Sequence, residues 1–210
     1  MKRTCDLLAS GAGLLLLWPL LGAIALAVWL TDGSPVFYRQ KRIGRGGRPF
    51  KIWKFRTMLH DAESRGLPLT VGADPRITPI GRILRKTKLD ELPQLFNVWT
   101  GEMSLVGPRP EASRYVALYT PAQRRVLELT PGITDVASIE FCDENEMLEG
   151  SPNPEAEYIE RVMPEKIRLN LEYAATANPF KDLLVVIHTF TRVASPWRMR
   201  TPSPPKKNAA

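Results

Sequence analysis

Between Asp6 and Asp32 the chain carries no charged residue, and from Leu7 to Leu30 it is apolar or small throughout. A run of that length can cross the hydrocarbon of a bilayer as one helix, whereas a helix on a soluble core keeps a polar stripe. Three arrangements compete for it. A secretory signal peptide would start at Lys2 and Arg3 and end at a small-residue site near Ala23 or Ala25. Against that, Asp6 interrupts the approach and the run continues to Leu30. A plain spanning helix is the second arrangement. The third is a helix that goes into the bilayer, breaks, and leaves on the same side. Two features favour the third. Basic residues flank both ends, Lys2 and Arg3 before, then Arg39, Lys41, Arg42 and Arg45 after, and positive flanks stay cytoplasmic. Pro19 lies mid-run, where it removes a backbone donor and presses its ring on the carbonyl of Leu15. Prolines also kink spanning helices, so the residues alone leave the last two arrangements level.

The 210 residues suffice for a membrane segment plus one compact domain. A net charge of +7 suits an acidic partner: nucleic acid, an anionic membrane surface or a phosphorylated small molecule. Cys5 and Cys142 form neither a disulfide framework nor a metal-ligand spacing and read as inert thiols in a reducing compartment. Residues 36 to 58 hold two β-prone runs around Gly44, Gly46 and Gly47, which predicts a hairpin. They include eight basic residues, among them Lys54 and Arg56, and no acid. Most of that charge is expected to face solvent or lipid headgroups.

Helical spacing predicts amphipathic helices over 112–129, with Pro121 starting a second one, over 155–174, and over 180–193. His188 falls in the apolar stretch of the last, where a satisfied core histidine is the expectation. The Pro-rich basic tail from Ser195 has no apolar periodicity and reads as disordered. The predicted organisation is a membrane helix over 1–33, one further domain over 34–194 and a tail over 195–210. The fold class is α+β and helix-rich, with a small β-hairpin and interfacial amphipathic helices.

No phosphate loop, dinucleotide turn, nucleophile elbow or H-E-x-x-H is present. No recognition-helix or zinc pattern supports a nucleic-acid partner. An enzyme built from this chain must therefore work with carboxylates and basic residues. The densest candidate is RKTKLDELPQLFNVWTGEMSLVGPRP, residues 85 to 110. If Asp90 caps a helix through Leu95, Phe96 and Val98, Pro93 falls in its first turn, where its missing donor costs nothing. Asp90 and Glu91 then sit at the positive end of the dipole, which also attracts phosphate. With Arg85, Lys86 and Lys88 nearby, the two carboxylates could hold a divalent cation and a diphosphate together. A purely structural cap remains the plain alternative. In VGPRP, Arg109 stands between two prolines, and rigid presentation suits bidentate phosphate recognition better than a loose surface charge. A surface arginine is its plain alternative.

KRTCD, KFRTM, LDELPQLFNVW, GEMSLVGPRP and PGIT, in that order, are together highly specific. On these motifs the chain resembles the bacterial sugar transferase family, the monotopic phosphoglycosyl transferases, over nearly its whole length to about Val193. The resemblance implies a re-entrant helix broken at Pro19, with Lys2, Arg3 and Asp6 at its start. It implies that Asp90 is a nucleophile forming a covalent phosphosugar and releasing UMP from a UDP-sugar, and that Glu91 and a magnesium ion share the site. Lys54, Arg56, Arg85 and Arg109 are the expected substrate-binding cations. The acceptor implied is polyprenyl (undecaprenyl) phosphate in the bacterial inner membrane, with the domain on the cytoplasmic face. Homo-oligomerisation is left open, and a non-catalytic membrane scaffold for glycan assembly is the alternative function. Two departures stand out: Trp18 precedes Pro19 where relatives often have serine, and Cys142 stands where many have arginine. No motif here reads the ring substituents of the sugar.

Overall fold

A computed structural model describes residues 2–62, 74–142 and 144–194. The expectation for the tail lies outside them. Helix α1, Lys2–Asp32, is continuous through Pro19, so the interruption expected at that residue does not form. At 1.5 Å per residue it is about 45 Å long, and it is the one helix among the described residues long and apolar enough to cross a membrane. Only four of its residues are buried, Asp6, Ser10, Ile24 and Val28. Leu15, Leu16, Trp18 and Leu20, around Pro19, lie open. Both ends nevertheless attach to the same folded body. At the start, Lys2 reaches Val106 O (2.9 Å), Arg3 reaches Val98 O and Trp99 O (2.5 and 2.8 Å), and Asp6 accepts from Ser104 Oγ (2.8 Å). At the finish, Ile24 and Val28 pack with Phe55 and Leu84.

The hairpin forms as the alternation requires: β1, Phe37–Ile43, pairs antiparallel with β2, Pro49–Phe55, across a turn at Arg45–Gly47. The far edge of β2 meets an asparagine side chain. Asn97, fully buried, accepts from Trp53 N (2.9 Å) and donates to Lys51 O (2.9 Å), satisfying backbone groups that would otherwise be orphaned. After α2, Pro79–Lys86, capped by Thr78, comes a 3₁₀ segment, Leu89–Gln94, which runs into α3, Leu95–Thr100. Strand β3, Ser104–Val106, pairs in parallel with β4, Gly132–Thr134. Gly107 and Gly132 cross there so closely that a Cβ on Gly132 would lie 2.1 Å from Gly107 N. Only glycine permits that approach, and it anchors the loop that carries Arg109.

The remaining helices are α4 (Ser113–Val116), α5 (Val136–Glu140), α6 (Glu144–Glu149), α7 (Pro154–Glu157), α8 (Met163–Thr176) and α9 (Pro179–Ala194). A π turn, Tyr158–Val162, joins α7 to α8. Residues of α4, α6, the π turn and α8, with Val126 from the segment between α4 and β4, form one core cluster around Tyr115, Leu148, Val162 and Ile167.

Three further expectations are corrected. Residues 112–129 do not make two helices: only the single turn α4 and a 3₁₀ turn, Gln123–Glu128, form. Pro121 disfavours helical backbone at Thr120. There Thr120 N donates to Gln123 Oε1 (2.8 Å) and Gln123 N to Thr120 Oγ1 (3.3 Å), a turn of its own. Asp90 is not a helix cap; it lies inside the 3₁₀ segment, whose preceding residue is Lys88. His188 is exposed, because α9 turns Val185 and Thr189 inward, the latter onto Thr134 Oγ1 (2.6 Å).

Candidate active site

The approach to Asp90 is made by a strained residue. Lys88 adopts φ 57, the one non-glycine residue with positive φ among those described. Left-handed backbone costs a residue with a Cβ about 1–2 kcal/mol. The turn it makes sends the chain straight into the 3₁₀ segment and buries Asp90 to 6% exposure. β2 packs alongside, so Lys54 comes to Glu91 Oε1 at 2.9 Å. From the other side, the loop beyond β3 delivers Arg109, which grips both oxygens of Glu91, with Nη1 at 2.9 Å from Oε2. Arg85, on the last turn of α2, donates Nε to Thr57 Oγ1 at 2.9 Å, and its charge acts on Asp90.

The two adjacent carboxylates end in opposite electrostatic states. Burial pushes the Glu91 carboxyl up, but Arg109 and Lys54 together outweigh it and hold it well below the usual carboxylate range. Asp90 is pushed up, first by burial and then by the charge of Glu91, with Lys54, Arg85 and Lys88 offsetting only part. Burial likewise lowers Lys54, against the pull of Glu91, and lowers Arg85, while Glu91 raises Arg109. Such a divergence between neighbouring groups is the arrangement by which sites separate roles. Glu91 is a fixed anion that clamps two cations. Asp90 keeps an unspent oxygen: its buried Oδ1 has no hydrogen-bond partner. A solvent-excluded carboxylate oxygen left unmatched among cations can act as a nucleophile or a metal ligand.

The structure therefore brings together Asp90, Glu91, Lys54, Arg85 and Arg109. It places Arg56 elsewhere. The Arg56 Nη2 donates to the carbonyls of Asp32 (2.5 Å) and Gly33 (2.8 Å), closing the end of α1. That puts a cation where the helix dipole is negative. Lys2, Arg3 and Asp6 hold the start of α1, and Pro19 lies between its two anchored ends.

As for magnesium, no group of three or more metal-ligating side chains exists among the described residues. Both Glu91 oxygens are taken by Arg109 and Lys54, which leaves Asp90 Oδ1 as the open donor. That set fits an ion held mainly by phosphate and water with one carboxylate, the usual magnesium arrangement.

Residues absent from the sequence reading complete the surroundings. A cleft of about 180 Å³ opens beside Arg109, with Arg42, Glu111, Tyr119, Tyr158 and Lys166 in its wall. Glu111 there accepts from Arg42 (3.2 Å) and from the Tyr158 hydroxyl. The acid directly after VGPRP was the available signal. Asp135, following PGIT, is 1% exposed, and its charge reaches Arg109. Gln94, within LDELPQ, is 2% exposed.

The profile of the family described as bacterial sugar transferase matches residues 1–196. The UDP-glucose:undecaprenyl-phosphate glucose-1-phosphate transferase of Caulobacter vibrioides is 37% identical over 191 residues, covering 90% of this chain and 67% of that protein. The transferase of the same name from Xanthomonas campestris pv. campestris is 36% identical over 197 residues, covering 91% of this chain. The exopolysaccharide production protein ExoY of Rhizobium meliloti is 36% identical over 207 residues, 91% of this chain and 84% of that protein. The chain spans 38% of the length of the Xanthomonas relative.

Proposed function

The chain belongs to the bacterial sugar transferase family, and from that premise we propose that it is a phosphoglycosyl transferase moving a sugar 1-phosphate from a UDP-sugar to undecaprenyl phosphate. The observation that carries this reading is the buried, unpartnered oxygen of Asp90 beside Lys54, Arg85 and the Glu91–Arg109 clamp. A carboxylate attacks a charged diphosphate only where cations offset the repulsion. In the first step an Asp90 oxygen bonds to the sugar-linked phosphorus. The bond from that phosphorus to the bridging oxygen breaks, and UMP leaves with the electron pair. In the second step an oxygen of the lipid phosphate attacks the same phosphorus, the Asp90–phosphorus bond breaks, and the carboxylate returns. Lys54 and Arg85 neutralise charge near Asp90, and Arg109 positions Glu91 and is itself held rigid by the flanking prolines. Magnesium, held by Asp90 and the diphosphate, would neutralise charge on the phosphates when bound.

The acceptor's long chain stays in lipid, so the site must lie at a membrane face. The helix α1 supplies the attachment. Its two anchored ends and the basic flanks support a re-entrant path with both ends on the cytoplasmic face of the inner membrane. The exposed apolar residues of α9, including Phe180, Leu183, Ile187 and Phe190, fit the interface.

The test is to incubate the purified full chain with magnesium and a panel of radiolabelled UDP-sugars. Label is expected to be trapped on the protein with release of UMP, and undecaprenyl phosphate should discharge it. Asp90→Asn and Asp90→Ala should trap none; label persisting on the Asn variant moves the nucleophile elsewhere. If the Asn variant also supports glycan assembly in cells, the scaffold reading takes its place. For topology, single cysteines at positions 2 and 40, in a chain with Cys5 and Cys142 replaced by serine, should react with an impermeant reagent from one side. Reaction from opposite sides means a true span.

A further inference from the structure

The 3₁₀ segment that carries the two carboxylates holds a second unmatched atom. Gln94 is 2% exposed, and its Nε2 is buried with no hydrogen-bond partner. A primary amide offers two N–H donors, and shutting both away unpaired is a cost that folded proteins seldom leave standing without a function. The position narrows the use. On a 3₁₀ turn, residues three apart eclipse one another, so the Gln94 position falls on the same edge of the segment as Glu91, the residue that Lys54 and Arg109 grip. The same segment thus carries an unspent acceptor, Asp90 Oδ1, and an unspent donor, Gln94 Nε2, within one turn and a residue of each other. Elsewhere on this stretch the amide side chain is fully used: Asn97, three residues on, bonds Lys51 O, Glu102 Oε2 and Trp53 N.

We propose that the Gln94 carboxamide is a substrate-contacting residue, donating to a non-bridging oxygen of the phosphoryl group as it passes onto Asp90. This rests on the transferase reading. The lysine and arginines supply charge in the ground state and the transition state alike. A neutral amide fixed by burial adds a directed bond to an oxygen whose charge grows as the phosphorus is attacked, at no reorganisation cost. It also explains why a Gln rather than a Leu fills a buried position beside Leu95 and Leu92.

The experiment compares Gln94→Leu, Gln94→Glu and wild type, full-length in detergent or nanodiscs, for single-turnover UMP release and for melting temperature. Leucine keeps the volume and removes the unpaired donor. Gln94→Leu is expected to melt no lower than wild type while its kcat and kcat/KM fall together by about 100-fold, the signature of an interaction made only in the transition state. Gln94→Glu, which offers acceptors and a charge against the phosphate, should fall further. Turnover of Gln94→Leu within threefold of wild type overturns the proposal. So does a loss of rate matched by a loss of melting temperature, which makes the residue structural. Asp90→Asn in the same assay separates the two questions, because activity surviving there sinks the transferase mechanism itself, whatever Gln94 does.

Discussion

Two buried aspartates in this molecule are treated in opposite ways. Asp135, at the end of β4, accepts from Ser138 N (2.9 Å), Ser138 Oγ (2.6 Å) and Asn170 Nδ2 (3.1 Å), and none of its atoms is left unpaired. Asp90 is nearly as buried, yet Oδ1 finds nothing and its carboxyl is pushed up. One cluster closes on itself, tying β4, α5 and α8 together. The other is left open beside cations and behind a strained Lys88. A self-satisfied polar network stabilises a fold, while an unsatisfied one stores free energy that a ligand can release. On this contrast Asp135 serves the architecture, and Asp90 is the aspartate left available for the proposed chemistry.

The largest effect that can break this comparison is on rate. Asp90→Asn should lower turnover by at least about a thousandfold, with no fall in melting temperature, since it replaces a penalised group with a neutral one. A variant that melts lower shows Asp90 to be a structural partner after all. Next comes the converse change. Asp135→Ala leaves Asn170 and the α5 start without their acceptor, and should cost about 2–4 kcal/mol of stability. Thermal denaturation should show a drop of roughly 5–15 °C for a chain of this size, and an unchanged melting point would dissolve the contrast. Smaller again is Arg109→Lys. It keeps the charge and removes the two-pronged grip on Glu91, so kcat/KM should drop about tenfold. Equal activity would mean that Arg109 acts as a point charge only.

Much of this was legible in the sequence, and for identifiable reasons. The hairpin could be read because Gly44, Gly46 and Gly47 separate two β-prone runs. Asp90, Glu91 and Arg109 could be located because carboxylates at a helix start and an arginine between prolines are local signals. What failed was partly local: 112–129 has helical spacing, but Pro121 stops α4 from continuing and the Thr120–Gln123 capping exchange opens only a 3₁₀ turn. The rest was tertiary. Arg56 looks like any other cation of the hairpin until the end of α1 arrives to receive it. Glu111 and Asp135 also bond partners 69 and 35 residues away, Arg42 and Asn170, and Gln94 is marked by the lack of any; no local pattern encodes those long-range relations. Lys88 offers no signal at all, since lysine is an ordinary residue whose backbone here is forced by its surroundings.

The smallest effect is the one that reads the two aspartates on a single scale. In metal-free protein without substrate, the Asp90 carboxyl sits above its unfolded value because of burial and the Glu91 charge. Within the window between the unfolded and folded values the native state binds more protons than the unfolded one, so stability falls as pH rises through that window. Below the ordinary carboxylate range Asp90 is protonated in both states and the penalty vanishes. Asp90→Asn has no such ionisation. Its melting temperature should therefore match wild type in acid and exceed it as pH rises through the raised Asp90 value, by about 2–4 °C for each kcal/mol relieved. Glu91, held low by Arg109 and Lys54, acts in the opposite sense: its stabilisation is present above the unfolded value and is lost as pH falls through the folded one. Asp135→Asn, in the same pH series, should melt below wild type at neutral pH, because it puts an amide where Ser138 N, Ser138 Oγ and Asn170 all donate. If both Asn variants shift the melting point in the same direction at neutral pH, the division between an aspartate that holds the fold and one kept free to react is wrong.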